Sequence, residues 1–499
     1  MTARDPELTI PATQPIPLGE LADRAFARAS GSDPIEGNAV RLLLDAEQNF
    51  AAWHDAIRDA ERSILFESYL FEDDAVGRAF VDVLAAKARA GVDVRVVYDW
   101  LGSHGAGALW TQLNAAGVQI RAFNPPRLDS PFGWLCRDHR KTVTVDGRVG
   151  FVTGVCVSAK WLGDPARRME PWRDTGVEIR GPAVAELVRA FAQVWRASGG
   201  AWLPLDRPGA AQGGTKAGDV RLRVIAGAPS GTGTYRLDLA IASLAHQRLW
   251  LTDAYFVGTA AYVQALAAAA RDGVDVRLLV PGVSDIPALG PLSRTGYRAL
   301  LEAGVRVFEW NGTMLHAKTA VADGFWARVG STNLNVASWM GNYELDVAIE
   351  DRHFAQAMAA QYDADLARAT EIVLTGRNRV RRAETGATSA ARRALSGSAG
   401  RVAAGAVGMG SALGAALTNR RVLEPAESGM LAKVGAGVIA FAGIAALWPQ
   451  VVAWPLALLG AWFGLAWLGK AFALRRKPQP DHPPPRARPV APEDGRTGA

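Results

Sequence analysis

The pattern of apolar and polar positions in residues 62–124 returns in residues 247–311. RSILFESYLF (62–71) and QRLWLTDAYF (247–256) are short apolar runs that end in an acidic residue and an aromatic one, as buried strands can. AAKARAGVDVRVVYD (85–99) and AAAARDGVDVRLLVP (267–281) each read as a helix end, a glycine stop and a strand. LNAAGVQIRAFN (113–124) answers LEAGVRVFEWN (301–311), and after each comes a short β-branched or small apolar run, TVTV or TAVA, suited to a buried strand. Each half predicts strand, helix, strand, helix, strand, then a further strand and its hairpin partner. Alternation of this kind predicts a duplicated α/β sandwich with a largely parallel sheet in each half.

Around the duplication the chain divides into segments. Residues 1–35 are proline-rich, carry acidic side chains and lack an apolar run, which predicts a flexible lead-in rather than a signal peptide or anchor. The halves are expected at 36–205 and 206–376, a basic linker at 377–429, a membrane hairpin at 430–474 and a disordered Pro/Arg-rich tail at 475–499. The hairpin rests on the 36 residues between Lys433 and Lys470, none of them formally charged, with Trp448, Pro449, Trp454 and Pro455 near the middle. A single re-entrant element is the alternative. Basic residues flank the run on both sides, which puts the body on the cytoplasmic side.

Charge is distributed unevenly. The net charge is +6, yet residues 377–499 alone carry 17 basic and 6 acidic side chains, so the body is net acidic. That balance argues against nucleic acid as the body's partner and for anionic lipid headgroups as the partner of the basic linker. Two cysteines, Cys136 and Cys156, make neither a disulfide framework nor a zinc cluster and read as free thiols.

The strand-like runs TVTV and TAVA lie inside a doubled motif, H-x-K-x-x-x-x-D. It comprises His139, Lys141 and Asp146 in DHRKTVTVD (138–146), and His316, Lys318 and Asp323 in MLHAKTAVAD (314–323). The chain has 7 His and 8 Lys against 47 Arg, so keeping Lys at both places selects a compact ammonium over a guanidinium fork. On a strand, residues two apart share a face, which pairs each His with its Lys. A neutral imidazole can attack phosphorus, and an ammonium beside it can hold a phosphoryl oxygen. Two such pairs facing each other would bracket one phosphoryl group. No Gly-rich phosphate loop or metal-ligand cluster accompanies them, which predicts a reaction without metal or cofactor.

The doubled motif, with GSTN (330–333) and NYE (342–344) after the second copy, resembles the phospholipase D superfamily over about residues 36–370. TDAYFVG, LHAKTAVAD, WARVGSTNLN and NYELDVAIEDRHF are most similar to bacterial cardiolipin synthases of the type without N-terminal membrane helices. The resemblance implies two halves with the site at their interface, the bacterial inner membrane as location, and phosphatidyl transfer onto phosphatidylglycerol. The donor is left open between phosphatidylglycerol and phosphatidylethanolamine. It implies that His139 attacks phosphorus and that His316 protonates the leaving alcohol and deprotonates the incoming one. Lys141, Lys318 and Asn333 would contact phosphoryl oxygens, with Ser331 in the same binding or orienting set. Asp174 and Glu344 would each orient an imidazole. Asp146 and Asp323 complete the motifs and are read as stabilising their strands through local hydrogen bonds.

One departure from the family pattern stands out: after the first motif Thr153 replaces a glycine and Cys156 an asparagine, which predicts a weaker grip on phosphate in the first half. A lipid hydrolase or nuclease of the same fold, and a non-catalytic membrane-binding protein, stay open as alternatives. His54, His104, His246, His353 and His482 are read as structural. Trp134, Trp161, Trp172, Trp326 and Trp339 near the motifs are candidates for a lipid-entry rim.

Overall fold

The computed structural model describes residues 18–126, 135–167, 169–201, 215–286, 289–374 and 380–382, with scattered positions between 436 and 468. The first half runs β1 (Ile35–Leu44), α2 (Asp45–Arg58), β2 (Ser63–Ser68), α3 (Ala75–Arg89), β3 (Asp93–Asp99), α4 (Gly107–Ala115), β4 (Gln119–Phe123), β5 (Lys141–Val145), β6 (Val149–Thr153), β7 (Thr175–Arg180) and α5 (Val184–Ala197). The second repeats this order with β8 (Val220–Gly227), α6 (Gly233–Leu244), β9 (Arg248–Thr252), α7 (Ala260–Arg271), β10 (Asp275–Pro281), α8 (Leu289–Glu302), β11 (Arg306–Trp310), β12 (Thr319–Ala322), β13 (Trp326–Gly330), β14 (Glu344–Glu350) and α9 (Arg352–Leu366). Strands β15 (Ala369–Leu374) and β16 (Val380–Arg382) extend the second half only.

The strands form one 16-stranded sheet whose halves meet at β1 and β8, paired antiparallel through Ile35 with Leu222 and Asn38 with Val220. Outward from that seam the order is β7-β6-β5-β2-β3-β4 on one side and β14-β13-β12-β9-β10-β11 on the other, a pseudo-two-fold repeat. The expected largely parallel sheets are not found. Only β2-β3-β4 and β9-β10-β11 are parallel, and the other pairings are antiparallel. The helical crossovers give the parallel strands, whereas each motif strand returns against β2 or β9 and then turns directly into its hairpin.

The repeated glycine stops serve the crossovers: Gly91 and Gly273 follow α3 and α7 at φ +92° and +94°, a conformation a Cβ disfavours. Helices cover both sheet faces. Phe50 and Trp53 of α2, Phe80 and Leu84 of α3 and Leu113 of α4 share a core with Val143 and Val145 of β5. Leu187 of α5 and Phe354 and Met358 of α9 join the core on the other face, with Val152, Val177 and Val347. The motif strands are thus buried on both sides, and burying one valine side chain contributes roughly 1.5–3 kcal/mol.

Part of the expected lead-in is ordered. Residues 18–30 form α1 (Leu18–Ser30), whose Phe26 packs on the core beneath α6 and whose Asp23 pairs with Arg221 at 2.8 Å and Arg223 at 3.1 Å. The expected hairpin at 430–474 falls largely outside the described residues, as do the linker apart from 380–382, which β16 occupies, and the tail at 475–499. Among the described residues no helix is long and apolar enough to cross a membrane.

Candidate active site

The motif aspartates lie at the ends of β5 and β12, away from the histidines. Asp146 and Asp323 occupy tight Asp-Gly turns at φ +55° and +50°, each followed by a glycine also at positive φ, the geometry a type I′ turn requires. The Asp146 carboxylate accepts the backbone N–H groups of Glu61, Arg62 and Ser63 at 2.7–2.9 Å. Asp323 accepts those of His246, Gln247 and Arg248 at 2.8–2.9 Å. Burial raises the Asp146 carboxyl, but these amides outweigh it and hold the group below its ordinary value.

At the other end of each motif strand the two halves exchange residues. His139 N–H donates to the Tyr343 carbonyl at 2.9 Å and Tyr343 N–H donates to the Arg137 carbonyl at 2.8 Å. Correspondingly, His316 N–H donates to the Arg173 carbonyl at 2.7 Å and Arg173 N–H to the Met314 carbonyl at 2.9 Å. These short bridges set each histidine beside the acid that follows in the other half. His139 Nδ1 lies 2.9 and 3.1 Å from the Glu344 carboxylate oxygens, and His316 Nδ1 lies 2.8 Å from Asp174 Oδ2. With Nδ1–H donated to a carboxylate, Nε2 of each ring carries the lone pair, and that of His316 faces the Lys318 ammonium.

The acids are held by different partners. Asp174 Oδ2 also accepts Trp161 Nε1–H at 2.8 Å, and Oδ1 accepts Thr175 N–H at 2.8 Å. Glu344 Oε2 accepts the Ser331 hydroxyl at 2.5 Å, and Asn342 approaches Oε1 at 3.4 Å. Asn333 is buried, with Nδ2 3.4 Å from the Ser338 hydroxyl and Oδ1 without a partner among the described residues. Its counterpart Cys156 is equally buried, and Thr153 spends its hydroxyl locally, on the Thr175 carbonyl and Val155 N–H.

Both lysines are buried beside their histidines. Lys141 and Lys318 each donate to the backbone carbonyl of the histidine two residues earlier, and Lys318 Nζ lies 3.0 Å from His316 Nε2. Two tyrosines that the motif reading missed frame the pairs. The Tyr69 ring stands edge-on to His139 with centroids 5.0 Å apart, and Tyr255 does the same to His316 at 5.8 Å. The acidic-aromatic endings of the two strand-like runs were the only sequence signal for them.

Burial sets the electrostatics. It pushes the His139 imidazole below its ordinary value against the pull of Glu344. It does the same to His316, reinforced by the Lys318 ammonium and opposed by Asp174. Burial alone would raise Asp174 and Glu344, but His316 holds Asp174 at about 2 and His139 holds Glu344 below the usual carboxylate range. Lys318 is lowered by burial to about 8. Near neutrality the site therefore presents two neutral imidazoles, two carboxylates and a readily tuned ammonium.

The rim expectation fails for Trp161, Trp172, Trp326 and Trp339, each only 3–4% exposed. Trp161 and Trp172 instead pack around His316, with ring centroids 5.2 and 5.8 Å away. Trp134 lies outside the described residues.

The model of the family described as "Cardiolipin synthase, PLD-like domain" matches residues 54–195 and 239–366. Cardiolipin synthase A of Pseudomonas aeruginosa is 35% identical over 362 residues, 72% of this chain and 73% of that protein. Cardiolipin synthase A of Pseudomonas fluorescens is 34% identical over 359 residues, 70% of this chain and 73% of that protein. Among solved structures, phosphatidylserine synthase of Haemophilus influenzae superposes with a TM-score of 0.57 at 15% identity, covering 70% of this chain and 91% of that one.

Proposed function

We infer the reaction from the premise that this chain belongs to the cardiolipin synthase family of the phospholipase D superfamily and is a phosphatidyltransferase. Its substrates are phospholipids. The acceptor is the free glycerol hydroxyl of phosphatidylglycerol, and the donor is a second phosphatidylglycerol or phosphatidylethanolamine.

The observation that carries the mechanism is the exchange of acids, His139 on Glu344 and His316 on Asp174. His139 is assigned as nucleophile. Its Nε2 lone pair attacks phosphorus, the bond from phosphorus to the headgroup oxygen breaks, and that oxygen takes a proton from His316 Nε2. Burial depresses the free imidazole, but the bound phosphodiester anion opposes that shift and favours the protonated form. In the second step His316 takes the proton of the incoming hydroxyl, the new oxygen attacks phosphorus, and the bond to His139 breaks. Lys141, Lys318 and Asn333 stabilise the phosphoryl oxygens, and Ser331 holds Glu344. No step calls on a metal.

The charge-free run between Lys433 and Lys470 supports a membrane hairpin, and the basic linker supports contact with anionic headgroups on the cytoplasmic face of the inner membrane.

The test is mass spectrometry of lipids after purified protein meets phosphatidylglycerol vesicles, with and without phosphatidylethanolamine, in EDTA. Cardiolipin as the product, lost in His139→Ala, is the expected result. Phosphatidic acid alone would mean that water is the acceptor and that the chain is a hydrolase.

A further inference from the structure

Among the described residues the Tyr255 hydroxyl has a carboxylate partner that the hydroxyl of its counterpart Tyr69 lacks. The Tyr255 hydroxyl donates to Asp285 Oδ1 at 2.8 Å, and Ser284 approaches the same oxygen at 3.4 Å. Tyr255 is itself fixed: its N–H donates to Asp253 Oδ2 at 3.1 Å and its carbonyl accepts Asn335 Nδ2 at 2.9 Å. Its ring stands edge-on to His316 and 5.9 Å from the Lys318 ammonium. Asp285, half-buried on the loop after β10, is therefore tied by one side chain to the second histidine. The hydrogen bonds it accepts from Tyr255 and Ser284 both fall on Oδ1. The equivalent loop after β3 offers Ser103 instead, and that hydroxyl is committed to the Tyr69 carbonyl and Phe71 N–H. A carboxylate occupies this loop position on one side only; near Tyr69 the buried acid is Asp99, which is committed to the Arg137 guanidinium and Asp138 N–H.

A carboxylate repels a phosphodiester, so it is poorly suited to holding the donor phosphate. It suits a neutral polyol, whose O–H groups make short charge-assisted hydrogen bonds to it. Its place one side chain away from His316, across Tyr255, fits that role, because His316 is the group assigned to deprotonate the acceptor.

We propose that Asp285, positioned by Tyr255, is the acceptor-specificity residue and receives a hydroxyl of the incoming glycerol headgroup. The inference rests on the transferase reading above and adds the residue that selects among acceptors. A site that pairs a hydroxyl with a buried acceptor discriminates strongly against alcohols that lack it.

The test uses the full chain with phosphatidylglycerol vesicles as donor and, as competing acceptors, free 1-propanol, ethanolamine or deuterated glycerol, whose product differs in mass from the donor lipid. The quantity measured is the ratio of phosphatidyl products, which does not depend on the fraction of folded protein. Wild type should prefer glycerol over 1-propanol. Asp285→Asn should lower that preference by about tenfold or more, and Tyr255→Phe should lower it in the same direction by less. A ratio unchanged in Asp285→Asn, a wild type indifferent to glycerol, or an Asp285-dependent preference for ethanolamine overturns the proposal while leaving phosphatidyl transfer standing. A wild type that forms only phosphatidic acid with every acceptor overturns both readings.

Discussion

The two halves share a scaffold and differ in their chemistry. Both motif strands end in an aspartate at positive φ that collects three backbone amides, and both histidines face a tyrosine edge. The differences lie in the groups around the two histidines and their acids. One acid is an aspartate fixed by an indole, the other a glutamate fixed by a hydroxyl. One half offers Asn333 to the site and the other Cys156. Duplication supplies a symmetric frame, and a reaction with one nucleophile and one proton carrier needs that symmetry broken.

The sharpest way to break the comparison is at the histidines. His139→Ala and His316→Ala should each lower phosphatidyl transfer by about 10³-fold or more, since each removes one of two non-redundant groups. If either variant kept a tenth of wild-type turnover, the division of labour would be wrong.

The crossed acids come next. Glu344→Gln and Asp174→Asn should each cost on the order of 10²–10⁴ in kcat, because the amide no longer fixes the imidazole tautomer. Glu344→Gln should impair attack on the donor and Asp174→Asn the departure of the headgroup. Burst kinetics that showed the opposite assignment would sink the crossed arrangement.

Lys318 gives a pH signature. In its proposed role it neutralises a phosphoryl oxygen and must carry its proton, and burial lowers it to about 8, so activity should fall as pH rises through that value. Lys318→Arg should keep some activity and move the alkaline limb upward. A limb that stayed in place would assign it to another group. The smallest effects belong to the partners of the acids: Trp161→Phe and Ser331→Ala should each lower kcat by roughly fivefold, the equivalent of one hydrogen bond. Steady-state turnover on mixed micelles reads them directly.

Much of this was legible in the sequence. The doubled H-x-K-x-x-x-x-D motif gave the lysine and histidine of each pair, because the two-residue strand period follows from backbone geometry alone. Asp146 and Asp323 read as ionised carboxylates that accept local hydrogen bonds rather than as part of the chemistry. The exchange of Asp174 and Glu344 between halves was not legible, since it depends on the Tyr343 and Arg173 backbone bridges rather than on spacing. Trp161 was misread as rim because its composition suits an interface as well as a core; the N–H bond to Asp174 decides it. Strand direction failed for a similar reason: helical crossovers announce parallel pairs, but nothing local says that β5 returns against β2. The association of α1 with the body was hidden by the proline-rich stretch before it.

The central claim is that one histidine becomes covalently bound to the phosphatidyl group and the other only moves protons. Alkaline quenching of the enzyme during turnover of phosphatidylglycerol, followed by peptide mapping in the mass spectrometer, measures this directly. The account predicts an acid-labile phosphatidyl adduct on the His139 peptide and none on the His316 peptide; an adduct on His316 would contradict it.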